Sequence, residues 1–180
     1  MSKKVLILST SPRKNSNSEA LALAFARGAE ESGHSVETIS LRGKDIRFCL
    51  GCFACQRTGT CVIRDDMAPF VTKMEAADVL VFATPIYYYE MSGQMKTLLD
   101  RANPLFPKDY RFRDVYFLSA AAENEPYVPD RAQSGLEGWI ECFEKAHLAG
   151  SVFCGGVTAP GESAGHAALT EAFEMGRAIQ

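Results

Sequence analysis

The chain has 180 residues, 47% of them hydrophobic and 23% charged, a balance that lets one globular unit bury a sizeable core without disulfide or metal staples. Nineteen basic residues against twenty-two acidic ones leave a formal charge of -3, too even to point to nucleic acid, an acidic polymer or a membrane surface as partner. No apolar run approaches the roughly 18 residues that span a bilayer, and Val5–Leu8 is too short for the apolar stretch of a signal peptide, so a cytoplasmic protein is expected.

Val5–Leu8 instead has the continuous apolar pattern of a strand buried on both faces. A polar loop from Ser9 to Ser16 follows. Asn17 or Ser18 is then placed to cap a helix over about Glu19–Ser32, with Gly33 at its end. Ser35–Leu41 reads as a second strand, and residues 42–64 carry four of the six cysteines with no clear period. Asp65 and Asp66 can cap a second helix, whose Met67, Phe70, Val71 and Met74 recur at helical spacing. Val79–Ala83 is the third strand, Thr84–Met91 a loop, and Ser92 the cap of a helix through about Ala102. Val115–Leu118 is the fourth strand. Leu136, Trp139, Ile140, Phe143 and His147 lie on one face of a fourth helix, with Cys142 read as core. Val152–Cys154 is the fifth strand, and the last helix runs from about His166 to Ala178.

This alternation, without repeat or linker, predicts one α/β domain over residues 1–180: a parallel sheet with helices on both faces. Such sheets bind ligands beyond the carboxyl ends of their strands. That singles out the loops 9–18, 84–92, 120–125 and 155–165.

The first of these loops offers the hydroxyls of Ser9, Ser11, Ser16 and Ser18, the amide of Asn17 and the cation of Arg13 beside Pro12, all at a helix N-terminus. It lacks both the G-x-G-x-x-G of dinucleotide-binding domains and the G-x-x-x-x-G-K-[ST] of nucleotide hydrolases. It is either a polar turn with a capping serine or a site for a terminal monophosphate, and its place after the first strand favours the phosphate. The second loop, Thr84-Pro85-Ile86-Tyr87-Tyr88-Tyr89, is stiffened by proline and holds three tyrosines that are hard to bury together. A flat heteroaromatic ring with a polar edge suits it. The other reading is that single tyrosines only pack the sheet edge or a dimer contact.

These two loops, with Ser92-Gly93-Gln94-Met95-Lys96 and Asp100-Arg101, resemble the NADPH-dependent FMN reductase family of flavodoxin-like proteins over nearly the whole chain. The resemblance implies a doubly wound five-stranded parallel sheet of order 2-1-3-4-5. It implies FMN, with its phosphate at Ser9, Ser11, Pro12, Arg13, Ser16, Asn17 and Ser18. The ring would lie against Thr84, Pro85, Ile86, Tyr87 and Tyr88, with Ala120 and Ala121 near it. The flavin would carry the chemistry without a protein acid or base, taking electrons from NAD(P)H and passing them to a small-molecule or protein acceptor such as a quinone, a flavin or a nitro or azo compound. A homodimer or homotetramer is also implied, with Phe106, Tyr110 and Phe112 available as apolar contact area.

Cys49, Cys52 and Cys55 stand at spacings of three, and Cys61 follows. C-x2-C-x2-C lets a short loop turn three thiolates toward one centre, and a fourth closes the set. The spacing and the following Val62–Met67 resemble the iron–sulfur flavoproteins, a branch of the same family. That resemblance implies Cys49, Cys52, Cys55 and Cys61 as ligands of a [4Fe-4S] cluster. A structural zinc and a Cys52–Cys55 redox dithiol are the remaining readings. Against the enzyme stand two other classes, a flavodoxin-like electron carrier and a four-cysteine redox or metal sensor. Steady NAD(P)H oxidation separates the enzyme from both.

Overall fold

A computed structural model describes residues 1–180. The strands are β1 (Lys4–Ser9), β2 (Ser35–Ser40), β3 (Val79–Tyr87), β4 (Glu90–Met91), β5 (Asp114–Ala120) and β6 (His147–Cys154). The helices are α1 (Asn17–Glu31), α2 (Ala54–Thr58), α3 (Met67–Ala76), α4 (Gly93–Arg101), α5 (Asp130–Ile140) and α6 (Ala167–Arg177), with a short 3-10 turn at Asn103–Leu105. The sheet order is β2-β1-β3-β5-β6, and all neighbours on that path are parallel. This is the expected 2-1-3-4-5 order of a flavodoxin-like sheet once β4 is set aside. The sixth strand was not expected: β4 folds back antiparallel onto the end of β3, pairing Ile86 with Met91 and Tyr87 with Glu90.

The central strands read as continuous apolar runs because they are covered on both faces. Their side chains alternate between two cores. Leu6, Leu8, Leu80, Phe82, Val115 and Phe117 face α3, α4 and α5, whereas Val5, Ile7, Val79, Val81 and Leu118 face α1 and α6. No helix is long and apolar enough to cross a membrane.

Several expected boundaries move. The cap of α1 is Ser16, whose Oγ accepts from the Glu19 N–H at 3.1 Å; Asn17 and Ser18 are helical and buried. Ahead of α3, the Asp65 carboxylate, not Asp66, accepts from the Met67 N–H at 3.1 Å. β3 continues past Ala83 through Thr84 and Pro85 to Tyr87, because β5 pairs with it as far as Pro85. α5 ends at Ile140, and tight turns bring Phe143 into the core while leaving Cys142 exposed. His147 therefore opens β6 instead of extending the helix face. Tyr110 and Phe112 are buried against Phe143 and Trp139 in an aromatic cluster, so only Phe106 of that trio remains exposed.

One close approach sets the spacing of the α1–α6 layer. A Cβ at Gly28 would overlap the Phe173 carbonyl oxygen, and one at Gly176 would overlap that of Phe25, so the two backbones meet where neither helix carries a side chain. Since backbone and not a flexible side chain blocks the space, Gly176→Ala is expected to lower the unfolding free energy by about 1–3 kcal/mol. A lower urea midpoint at unchanged m-value is the measurement that checks it.

Candidate functional site

The carboxyl ends of β1, β3 and β5 open into a cleft of about 220 Å³. One side is the loop from β1 to α1. The Thr10 N–H donates to the Ala83 carbonyl at 2.9 Å, and Ser11 Oγ accepts from the Arg13 N–H at 3.2 Å, folding the loop back toward the helix. The N–H groups of Asn17 and Ser18 precede the first intrahelical bond, which runs from Ala20 to Ser16, and the positive end of α1 lies behind them. Ser16 and Ser18 hydroxyls stand 3.4 Å apart at the same point.

The opposite side is mostly apolar: Pro85, Ile86 and Tyr87 from β3, then Ala120 at the end of β5 and Ala121 and Ala122 after it. A buried chain of hydroxyls holds the two sides together. Thr84 Oγ1 donates to Ser92 Oγ at 3.1 Å, Ser92 Oγ lies 3.1 Å from Thr10 Oγ1, and Thr10 Oγ1 donates to the Ala83 carbonyl at 3.0 Å. Ser92 also caps α4 by accepting from the Met95 N–H at 3.2 Å, as its sequence position predicts.

A third wall, Val157, Thr158 and Pro160, comes from the loop after β6. Arg13 Nη1 donates to the Thr158 carbonyl at 2.8 Å. The Asn17 side chain donates to the Ala159 carbonyl at 3.0 Å and accepts from the Ser163 N–H at 3.1 Å. Glu162 accepts from the Thr158 and Ala159 N–H groups, which hold its carboxyl below its ordinary value.

Of the residues singled out in sequence, Ser11, Arg13, Ser16, Asn17, Ser18, Pro85, Ile86, Tyr87, Ala120 and Ala121 line this one cleft. Ser9, Pro12, Thr84 and Tyr88 do not. Ser9 and Thr84 are buried within the strand ends, and Tyr88 points into solvent. Ala122, Val157, Thr158 and Pro160 also line the cleft; topology points to their loops, but nothing in their residue types marks them. No carboxylate lines the cleft, so its hydroxyls, amide and guanidinium fit an anion.

The four clustered cysteines are not gathered in the same way. Cys49 and Cys52 are exposed, Cys61 is half-buried, and Cys55 is buried with its Sγ accepting from Asn103 Nδ2 at 3.3 Å; all are free thiols. No three His, Cys, Asp or Glu side chains form a group able to hold a metal ion. A larger cavity, about 390 Å³, lies between Cys61, α3 and Pro104 and shares no lining residue with the first cleft.

What fixes this segment is Arg101, whose side chain is 1% exposed. Its guanidinium grips Asp65 with Nη1 to Oδ2 at 2.6 Å and Nη2 to Oδ1 at 2.9 Å, and Nη1 also donates to the Arg47 carbonyl at 2.6 Å. Asp65 accepts from the Arg47 N–H as well, at 2.9 Å. One buried ion pair thus pins both ends of the cysteine segment to α4. The guanidinium holds the Asp65 carboxyl well below the usual carboxylate range, and Asp65 in turn pushes Arg101 up.

Residues 3–136 match the NADPH-dependent FMN reductase family. The chain belongs to that family. An iron-sulfur flavoprotein of Archaeoglobus fulgidus is 39% identical over 94 residues, 52% of this chain and 43% of that protein. The iron-sulfur flavoprotein MJ1083 of Methanocaldococcus jannaschii is 37% identical over 57% of this chain and 53% of its own length. The match therefore spans about half the length of these relatives. YwqN of Bacillus subtilis, whose name describes an NAD(P)H-dependent FMN-containing oxidoreductase, is 26% identical over 96% of both chains. Among solved structures, an NAD(P)H:quinone oxidoreductase from Methanothermobacter marburgensis superposes with a TM-score of 0.74 at 18% identity, covering 100% of both chains. An azoreductase from Bacillus anthracis gives 0.73 at 16% identity over 99% of this chain and 100% of that one. At those identities the structural similarity carries the fold.

The Arg101–Asp65 pair generates a two-part expectation. Arg101→Met strands a buried carboxylate and should cost about 3–5 kcal/mol at pH 7, read by urea unfolding. Asp65 has a depressed value in the fold, so its stabilising contribution is complete above the unfolded value of about 3.9 and fades as pH falls below it. The stability gap between the parent and Asp65→Asn should accordingly start to narrow as pH falls through about 4 and go on narrowing below pH 3.

Proposed function

We propose that the cleft at the carboxyl ends of β1, β3 and β5 binds FMN, and that the chain is an NAD(P)H-dependent flavin oxidoreductase delivering electrons to a quinone, a flavin or another small acceptor. The observation that carries the reading is the pairing, in one cleft, of a carboxylate-free set of hydroxyls, amide and guanidinium with a mostly apolar wall. Family membership supports it, as do the names of YwqN and of the quinone oxidoreductase of like fold.

The chain's own residues divide the work. Ser11, Ser16 and Ser18, with the free N–H groups at the start of α1, are the donors for a terminal phosphate, and Arg13 supplies the counter-charge. Pro85, Ile86 and Tyr87 and the three alanines confine a planar ring and keep water from one side of it. The bound flavin would supply the redox chemistry, accepting hydride from the nicotinamide and passing electrons on. The residues that line the cleft serve to bind and orient in this reading, and the chemistry is assigned to the cofactor. A mild net charge of -3 favours an enzyme over an acidic carrier steered to protein partners. Assembly as a homodimer or homotetramer belongs to the same proposal, and a light-scattering mass equal to one chain would remove it.

A second reading concerns Cys49, Cys52, Cys55 and Cys61. Their spacing and the names of the relatives favour a [4Fe-4S] cluster, which would take these four thiolates as ligands, but the structure does not bring the four thiols to one centre. About four irons and matching sulfide per chain after anaerobic purification would establish the cluster, and an iron-free yellow protein would remove it.

The purified chain is expected to show the two visible bands of bound flavin and to oxidise NAD(P)H steadily; a colourless chain that cannot be reconstituted with FMN would overturn the proposal. Arg13→Ala should weaken FMN binding by about tenfold to a hundredfold, the loss of one charged hydrogen bond, as read by flavin fluorescence titration.

A further inference from the structure

The loop that follows β6 is held in place mainly by polar side chains. Between Gly156 and Gly165, whose φ of +72° and +78° make left-handed bends at its two ends, only Val157 and Ser163 are buried. Thr158–Glu162 are exposed, and no backbone hydrogen bond ties residues 158–162 to another element. A stretch with so little apolar contact opens more easily than the sheet, so its position depends on the few side chains that reach it. Asn17 engages it with both ends of its amide, donating to the Ala159 carbonyl at 3.0 Å and accepting from the Ser163 N–H at 3.1 Å. Arg13 donates to the Thr158 carbonyl at 2.8 Å. Glu162 folds the loop on itself, accepting from the Thr158 and Ala159 N–H groups at 2.6 and 2.9 Å.

The same loop is a wall of the cleft. Thr158 and Pro160 line one space with Ser11, Arg13, Ser16, Asn17 and Ser18, and two of those residues are the ones that tie the loop down. The attachment therefore falls among the anion-binding groups themselves. With its side chain engaged by the loop, Asn17 offers an anion its backbone N–H. Ser163 marks how the closed position is balanced. Its side chain is 1% exposed and its Oγ has no hydrogen-bond partner, an unfavourable burial that opening to water would relieve. Polar ties hold the loop down while a stranded hydroxyl favours its release.

We infer that residues 157–163 form a strap over the anion end of the cleft, held down by Asn17 as a positioning residue, and that a phosphate-bearing ligand enters and leaves when the strap lifts. The inference rests on the proposed function for its ligand, FMN, whose terminal phosphate that reading assigns to Ser11, Ser16, Ser18 and the start of α1. Glu162 does not line the cleft, so its carboxylate acts on the ligand only through the shape of the strap.

The test uses the full chain as parent, Asn17→Ala, Glu162→Ala and the double variant, each loaded with FMN or with riboflavin, which has the same ring and no phosphate. Dissociation is followed by the rise in flavin fluorescence after rapid dilution. The ratio of the FMN rate to the riboflavin rate should rise about tenfold in either single variant, the effect of losing the hydrogen bonds that one side chain supplies. In the double variant it should stay within about twofold of the single variants, because both side chains act through one strap. Cleavage after Glu162 by a glutamate-specific protease should also be about tenfold faster in Asn17→Ala than in the parent, since proteolysis follows the open population. An unchanged ratio in both single variants overturns the inference, as does equal acceleration of both flavins, which would be general loosening of the fold. A raised ratio in Asn17→Ala with an unchanged cleavage rate also overturns it, by making Asn17 a direct phosphate ligand. A parent that binds neither flavin overturns the cleft reading and this inference together, whereas a parent that binds both, with variants of unchanged ratio, overturns the strap alone.

Discussion

A chain of three hydroxyls inside the protein fixes the geometry of everything beyond the sheet's carboxyl edge. Thr84, Ser92 and Thr10 are all fully buried, and each oxygen lies within 3.1 Å of the next. Buried away from water, such groups hold only if every donor and acceptor is matched, and a matched network sets a single arrangement. Here the network joins the end of β3, the cap of α4 and the loop after β1. The network therefore sets how the loop that carries the anion cradle sits against the strand end that carries the apolar wall. The loop after β6 adds the third wall through Asn17 and Arg13, so one α1 residue both begins a helix and ties down a loop 142 positions away.

The cysteine segment is held by different physics. Arg101 and Asp65 are both buried charges, and each is tolerable only because the other neutralises it with two short hydrogen bonds. Their anchoring of Arg47 on one side and Asp65 on the other defines where the segment leaves and rejoins the fold. Between those points the side chains of Phe48, Leu50 and Phe53 are exposed, and the thiols stand apart. The two regions differ in preorganisation. The cleft has walls from three loops, while the cysteine loop is fixed at its two ends and, between them, where Asn103 ties Cys55.

Much of the fold was legible because burial on two faces writes a simple pattern. Val5–Leu8, Val79–Ala83 and Val115–Leu118 all fall in strands, since only a covered parallel sheet asks for such runs. Boundaries were less legible where tertiary contacts override local signals. Asn17 is a good capping residue by type, yet Ser16 caps α1 and Asn17 is drawn to the loop at Ala159–Ser163. The helix face seen through His147 broke because the chain had to turn into β6, whose first residue pairs with Asp114. The aromatic residues at 110 and 112 carry no periodic signal, and only their packing on Trp139 and Phe143 reveals them as core.

By itself the sequence determined the strand–helix alternation, the sheet class and the two loops that face each other at the cleft, because these follow from hydrophobic pattern and from residue chemistry at strand ends. The tertiary structure alone decided which members of those loops meet. Ten of the fourteen named residues line one cleft, Tyr88 is turned outward by a hairpin that pairing on β3 creates, and the thiols stay apart despite their spacing. The physical reason is that side-chain direction depends on strand register, cap choice and distant hydrogen bonds, none of which is encoded within a single short motif.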